Sequence, residues 1–498
     1  MTDYLAISPH PLATAIGNEL LAAGASAAEA AVAIGAMLSV VMPHFCGIGG
    51  DAVWLAAEAD GTVTAINGIG QAFAFTEDVS HIATRGPQSI LTTAAAVRTW
   101  EAALALQAPG CAIAPLLAPA IKASRDGFPV GASQAFWTQF RADEINDWIG
   151  FGRYAQARPG RTMVQPELAS TLKELSDNGL NSFYEGELAG AILTDLRAIG
   201  VDATAEDFAG ARAECSEPLR VAYRDVLLHA PPPPTQGAAT LAIMGILDRL
   251  GPAPDCGSAE DYHLMVESVK AAFLDRAGID DADGARAYAE KMLSATRLDE
   301  RAASVDRQKA RAWPHVFEKA DTVYFAARDK QGRCISALQS TYYDWGSGCC
   351  LPKTGIIWHN RGASFRRIDG PNRLRPGRRP FHTLTPGIAT KSGKPYLLYG
   401  TQGADGQPQT TCVILRHMID HGLAPEAALH APRFLLGRTF SDSRDSLKLE
   451  PMAGEEGLRA MGHEVSPIEA LSPLAGLAGA IRIEAGEVIG ASDPRGEN

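Results

Sequence analysis

The chain has no cysteine pattern. Its eight cysteines, Cys46, Cys111, Cys215, Cys256, Cys334, Cys349, Cys350 and Cys412, show no C-x-x-C spacing and no paired clusters, so neither a zinc site nor a disulfide framework is expected. The adjacent Cys349-Cys350 pair admits a strained vicinal disulfide, but scattered buried thiols are the simpler reading. Long apolar runs are scarce too: the longest, around residues 30–42, falls short of the roughly 20 residues of a membrane span. The opening Met1-Thr2-Asp3-Tyr4-Leu5 has no basic stretch ahead of a hydrophobic core, so no secretory leader and a cytoplasmic location are expected. Positive charge is also in deficit. A net charge of −12 and a pI near 5.5 favour solubility and argue against general affinity for nucleic acid or anionic membranes. Hydrophobic residues at 46% and charged residues at 20% exclude a disordered or fibrous chain.

A length of 498 residues suggests two or three domains if about 150 residues make one. Residues 11–23 carry helical spacing that ends at Gly24, and an Ala-rich helix follows from Ser26 through Val40. His44-Phe45-Cys46-Gly47-Ile48-Gly49-Gly50-Asp51 then leads into an apolar strand, 52–56. A phosphate-cradling glycine loop wants a strand before it and a helix after it. The order here is reversed, which favours a tight turn with a structural His44. Further helices are expected over 98–106, 114–125, 134–147 and 238–250, with others beginning near Gln165 and Phe183. By composition alone Pro231 to Pro234 read as a linker. On the helix 261–275, His263, Glu267, Lys270 and Asp275 are spaced as a solvated face carrying surface ion pairs. The polar segment 278–320 is expected to lie exposed.

The chain is organised around residues 321–332. Apolar Val323, Phe325 and Ala327 alternate, an Asp-Lys-Gln-Gly turn follows, and a second apolar run covers 334–338: a β-hairpin. Pattern alone makes Thr322 an ordinary strand residue. From here to the C-terminus, however, the chain resembles the small subunit of the γ-glutamyltranspeptidase family, whose members are N-terminal-nucleophile hydrolases that cut themselves in front of a threonine. The resemblance rests on Thr322-Val323-Tyr324-Phe325-Ala326-Ala327-Arg328-Asp329-Lys330-Gln331-Gly332, on Asn360, Arg379-Pro380, Thr385-Pro386, Gly400-Thr401-Gln402-Gly403, Ala431-Pro432-Arg433 and the closing Ala491-Ser492-Asp493-Pro494-Arg495. It runs back to His10 and includes the Pro43-His44 turn and the Pro231–Pro234 loop, which it implies is an ordered turn.

The resemblance implies one α+β body, an αββα sandwich, built from a large subunit, 1–321, and a small subunit, 322–498, that stay together after cleavage between Asp321 and Thr322. A hydroxyl needs a base, and a freed α-amine, with a reference pKa of roughly 8, supplies one on the same residue. By resemblance Gly403 and Ala404 would offer N–H groups to the oxyanion, and Ser340 would hydrogen-bond the nucleophile. The family has Gly-Gly where this chain has Gly403-Ala404, and a positive φ at Ala404 would be strained. No metal or cofactor is implied.

The departures concern substrate. Tyr342, Arg361, Ser364, His382 and Thr383 stand where γ-glutamyl-specific relatives hold an amino acid's ammonium and carboxylate, and no arginine occurs between Gly61 and His81 to match the large-subunit arginine. This pattern is similar to the oxamate amidohydrolase branch, sharing Gln339-Ser340, Gly346-Ser347-Gly348, Trp358-x-Asn360-Arg361-Gly362, Pro380-Phe381-His382-Thr383-Leu384 and Gly406-Gln407-Pro408-Gln409. Arg361 becomes a carboxylate anchor, its planar fork matching both oxygens; a structural ion pair is the plainer alternative. The arginines at 366, 367, 373, 375, 378 and 379 read as an anion funnel or a solvated face. The expected activity is hydrolysis of a small anionic amide. A γ-glutamyl hydrolase or transpeptidase acting on glutathione, and an uncut binding homologue, stay open, as does a homo-oligomer.

Overall fold

The computed structural model describes residues 3–313, 321–438, 442 and 444–496, with Asp321 described by its backbone alone. Among them, two six-stranded antiparallel sheets face each other. The first runs, in spatial order, Leu5–Ile7, Asp321–Arg328, Cys334–Tyr342, Asp51–Ala57, Val63–Gly68 and Ala213–Ser216. The second runs Glu487–Ser492, Ala478–Glu484, Lys394–Thr401, Gly387–Lys391, Val226–Ala230 and Leu219–Tyr223. Each sheet therefore contains strands from both sides of the Asp321–Thr322 bond.

Side-chain alternation assigns the layers. Val323, Phe325 and Ala327 point outward into a core shared with the helices Ala27–Val41, Ala96–Gln107, Ile113–Asp126 and Pro166–Asn178. Phe325 meets Trp54 edge to face, ring centroids 5.6 Å apart, and burying such a ring contributes about 1.5–3 kcal/mol. Tyr324 and Ala326 point the other way, into a core between the sheets with Val53, Leu338, Ile388, Leu398 and Ile481. A third core lies beyond the second sheet, under Gly237–Arg249, Ala259–Arg276 and Gln407–Leu415. The result is the αββα sandwich. Gly400 and Gly479 let the sheets close on Tyr324: a Cβ at either would stand 2.3 or 2.9 Å from its ring. None of the described helices is long and apolar enough to cross a membrane.

Asp329 shows how the hairpin is fixed. Its Oδ1 accepts from the backbone N–H of Gln331 and Arg333, both at 2.9 Å, closing the turn, while Oδ2 accepts from Ala27 N at 3.1 Å. The carboxylate thus caps the positive end of the Ala27–Val41 helix. The Ser26–Glu29 capping box fixes the same terminus.

Several local expectations need correction. The helix expected over 134–147 ends at Phe140, where short 3₁₀ turns take over. Cys349 and Cys350 are separate buried thiols, as expected, but Cys215 and Cys256 are exposed rather than buried. The segment 278–313 is not simply exposed: its two short helices bury Ala289, Met292, Leu298 and Ala302. Residues 314–320, the rest of that stretch, lie outside the described residues.

The largest correction concerns the supposed solvated face of residues 261–275. Asp261, His263, Glu267, Lys270 and Asp275 are all buried: the segment 304–311 and the 463 loop lie over His263, Glu267 and Lys270, whereas Arg416 and His421 meet Asp261, and Arg297 and Arg301 meet Asp275. Lys270 Nζ donates to Glu267 Oε1 at 2.8 Å and to Arg311 O at 2.5 Å, while Arg311 N donates to Glu267 Oε2 at 3.1 Å. Spacing of three and four marks one helix face, but cannot say whether later chain folds over it. Lys270→Met would leave Glu267 as a buried, uncompensated charge, which typically costs about 3–5 kcal/mol. We expect a clear drop in the unfolding midpoint, partly recovered by adding Glu267→Gln; a wild-type midpoint for Lys270→Met would show the pair to be energetically idle.

Candidate active site

Thr322 is the second residue of its strand and 98% buried. In phase with Tyr324 and Ala326, it belongs to the inter-sheet face. Val323 pairs with Gln339 and Asp321 with Tyr342, so Ser340 and Thr341 together stand opposite Thr322 in a β-bulge. Leu5–Ile7 covers only residues 326–328 on the strand's other flank, so the described pairing leaves the Thr322 end with a single ladder neighbour. Ser340 Oγ accepts from Tyr342 N at 2.8 Å, and Thr341 N donates to Phe45 O at 3.1 Å, tying the bulge to the Pro43–Gly50 turn. Gly50 is required there, because a Cβ would lie 2.2 Å from Ser340 O.

Three further segments meet at this strand end. Tyr342 and Ala404 pack together with Tyr343 and Ala363 against them. The Arg361 guanidinium lies 3.7 Å from the Tyr342 ring centroid and is 99% buried. Gly403 has φ of +116° and Ala404 of +46°, so the alanine adopts the left-handed conformation that sequence reasoning marked as strained. Gln236 holds it there: Nε2 donates to Ala404 O at 2.8 Å and to Thr383 O at 2.9 Å. Arg276 in turn bonds Gln236 Oε1 at 3.1 Å and pairs with Asp405.

Behind Arg361 lies a charge cluster that sequence reasoning missed. Asp51 is fully buried; its Oδ1 accepts from Gly70 N at 3.0 Å and Ala95 N at 3.2 Å, and its Oδ2 lies 3.3 Å from His382 Nε2 and 3.6 Å from His359 Nδ1. Burial opposes ionisation of Asp51, but His359, His382 and Arg361 outweigh it and hold the carboxyl below its usual range. Burial, then Arg361, pushes His382 down to about 3. His382 Nδ1 accepts from Leu384 N at 3.3 Å, which makes Nε2–H the donor to Asp51. The cluster is thus a carboxylate, a neutral imidazole and a guanidinium. The signal was present in the glycine turn ending at Asp51, where attention went to phosphate binding.

The structure brings Thr322, Ser340, Tyr342, Arg361, His382, Thr383, Gly403 and Ala404 into one region. Ser364 is turned away from an open pocket role: its Oγ donates to Phe381 O at 3.2 Å. Asn360, from the quoted Trp358–Gly362 run, accepts from Tyr343 N at 3.1 Å and donates to Thr84 O at 2.7 Å. Next to Thr84 stands a cation that sequence reasoning missed. Arg85, four residues beyond the window searched for a large-subunit arginine, donates to Asp344 O at 2.5 Å and Gly346 O at 2.8 Å. Arginines of the 366–379 run are partly committed: Arg379 pairs with Asp281 and Glu214, and Arg373 with Asp369. The run is therefore no uniform funnel.

Residues 13–498 match the γ-glutamyltranspeptidase family. The oxamate amidohydrolase proenzyme of Klebsiella pneumoniae is 39% identical, across 99% of this chain and 97% of its own length. The glutathione hydrolase-like YwrD proenzyme of Bacillus subtilis is 35% identical, across 100% and 98%. Among solved structures, cephalosporin acylase from Bacillus halodurans superposes with a TM-score of 0.90 at 28% identity, covering 99% of this chain and 94% of that one. The sandwich, the buried threonine at the end of a central strand and a match over nearly the whole chain lead to one assignment: this protein is an enzyme of the γ-glutamyltranspeptidase family, with the fold of an N-terminal-nucleophile hydrolase.

Proposed function

We propose that the chain is a proenzyme that cuts itself between Asp321 and Thr322, and that the two pieces, 1–321 and 322–498, act together as an amidohydrolase for a small carboxylate-bearing amide such as oxamate. The observation that carries this reading is the bulge, which sets Ser340 across from a buried Thr322 beside the Arg361–Tyr342 pair. In self-cleavage the Thr322 hydroxyl adds to the carbonyl carbon of residue 321, the C–N bond breaks to leave an ester and a free α-amine, and water hydrolyses the ester. In turnover the same oxygen attacks the substrate amide while the α-amine takes its proton and passes it to the departing amine or ammonia. Water then attacks the acyl-enzyme ester, releasing the acid. The N–H groups of Gly403 and Ala404 stabilise the oxyanion in both additions. Because Gln236 and the left-handed turn fix Ala404, that donor needs no rearrangement as charge develops.

Arg361 binds the substrate carboxylate. It is already desolvated, and Asp51 balances it from behind, so the anion meets a pre-formed cation rather than one that must be stripped of water. The relative named for oxamate hydrolysis supports this reading. A second reading, γ-glutamyl hydrolysis or transfer, is favoured by relatives named as glutathione hydrolases at 27% and 28% identity. An uncut homologue would need neither pocket.

Three outcomes are expected. Purified wild-type protein should run as two pieces of about 34 and about 19 kDa out of 52.6 kDa, and Thr322→Ala as one full-length band; two bands from Thr322→Ala would move the nucleophile elsewhere. Ser340→Ala should slow both maturation and turnover by about 10²- to 10³-fold, the usual cost of losing a positioned hydrogen-bonding group. Unchanged rates of both would remove Ser340 from the site. Finally, kcat/KM for oxamate should exceed that for γ-glutamyl-p-nitroanilide by about 10²-fold, because a cation beside a desolvated ammonium repels it. Arg361→Lys, which keeps the charge but loses the fork, should raise KM for oxamate more than for a neutral amide. A tenfold advantage for the γ-glutamyl substrate would hand the site to the second reading.

A further inference from the structure

Far from Thr322 in sequence terms, the helix Gln407–Leu415 continues into a π-helical turn, Arg416–Asp420. Such widened turns re-aim side chains and recur at functional sites. Here His417 and the neighbouring His421, four residues apart on one face, meet Cys256 from the loop that precedes Ala259–Arg276. One ligand atom from each of the three lies within 4.8 Å of the others. Sequence spacing could not reveal this group, since about 160 residues separate Cys256 from both histidines.

The hydrogen bonds decide the tautomer. Tyr262 Oη gives its only proton to Pro432 O at 2.5 Å, so at its 3.5 Å contact with His417 Nε2 the ring must be the donor. With Nε2 protonated, Nδ1 is an acceptor and takes the Cys256 thiol hydrogen bond at an Sγ–Nδ1 distance of 3.5 Å. A tetrahedral ion with metal–sulfur and metal–nitrogen bonds of about 2.3 and about 2.05 Å separates its sulfur and nitrogen ligands by about 3.5 Å, so this edge already has the required length. Outer partners are in place as well: Tyr262 holds His417, and the buried Asp261 Oδ2 lies 2.9 Å from His421 Nε2. The nearest cation, Arg416, is neutralised by Asp261 at 2.8 Å and Asp420 at 3.5 Å.

We propose that Cys256, His417 and His421 bind a divalent transition metal of the zinc class, with a fourth position open to solvent on the exposed Cys256 side. A thiolate and two imidazoles suit borderline-soft ions and disfavour magnesium or calcium, which prefer oxygen. The site joins a residue before the Asp321–Thr322 bond to two residues after it. If the proposed cleavage occurs, the ion would bridge the subunits; that consequence rests on the proposed function, whereas binding itself does not.

The test uses full-length protein stripped with a chelator and titrated with cobalt(II), followed by absorption. One equivalent should produce a thiolate-to-cobalt charge-transfer band and tetrahedral d–d bands, and zinc(II) should bleach both. The uncut Thr322→Ala protein must give the same spectrum, which separates failure of this site from failure of the cleavage reading. Cys256→Ser, at an exposed loop position that folding tolerates, should lose the charge-transfer band and bind zinc at least about tenfold more weakly, and His421→Asn should weaken binding similarly. No tetrahedral cobalt spectrum in the wild type, or a charge-transfer band that survives Cys256→Ser, would overturn the proposal.

Discussion

The rest of the structure depends on a mismatch in strand length. Among the described residues, the strand Asp321–Arg328 is held on one flank by nearly the whole of Cys334–Tyr342 and on the other only by the three residues Leu5–Ile7, at its far end. Its far half is therefore locked into a ladder, while its first residues have one partner and an interrupted register. A strand paired on both flanks would commit its backbone nitrogens to the ladder. A frayed strand end could not hold them still. Pairing on one side, with a bulge opposite Thr322, meets both demands, and the Gly47–Gly50 turn makes room for it by letting backbone pass within the space a Cβ would take.

Burial of charge follows the same logic of compensation. Asp51 is taken out of water deep behind the Tyr342–Ala404 junction, and four kinds of partner repay that: two backbone N–H groups, His382, His359 and Arg361. The imidazoles stay neutral because burial and the neighbouring guanidinium both oppose protonation. The cluster thereby presents one balanced cation at the site with a carboxylate behind it. Gln236 and Arg276, with Asp405, do the corresponding work at the Gly403–Ala404 turn, so Asp51 at one wall and Gln236 and Arg276 at the other reach the site from residues before the 321–322 bond. The halves are interdependent at the site itself, not only in the cores.

Much of this was legible in the sequence where the signal is local. The alternation of Val323, Phe325 and Ala327 marked the strand and the hairpin it opens. Ser26 with Glu29 marked a helix start, and Gly24 a stop. What could not be read was whatever depends on distant chain covering a surface. The face carrying His263, Glu267 and Lys270 looks solvated until residues 304–311 lie over it. Asp51 looks like the end of a turn until the 359 and 382 loops arrive, and Arg85 acquires partners only because Asp344 and Gly346 fold back onto it. Cys256 has no sequence neighbour with which to form a motif.

Backbone strain ties these observations together. Among the described non-glycine residues with positive φ, Tyr342, Trp345 and Ala404 lie near the Thr322 end of the strand Asp321–Arg328. Conformations of this kind cost about 1–3 kcal/mol each and persist only where surrounding contacts over-determine them. Those contacts are visible: Tyr342 is stacked on Arg361, Trp345 N donates to His44 O at 2.7 Å, and Ala404 O is held by Gln236. With glycine at 404 the turn would form without penalty but would also relax more freely. An alanine forced into the left-handed region has fewer alternative conformations to escape to, so its N–H direction is set by the brace rather than by its own preference. The strain is thus the cost of a fixed turn, and the buried network of Gln236, Arg276 and Asp405 is what offsets it.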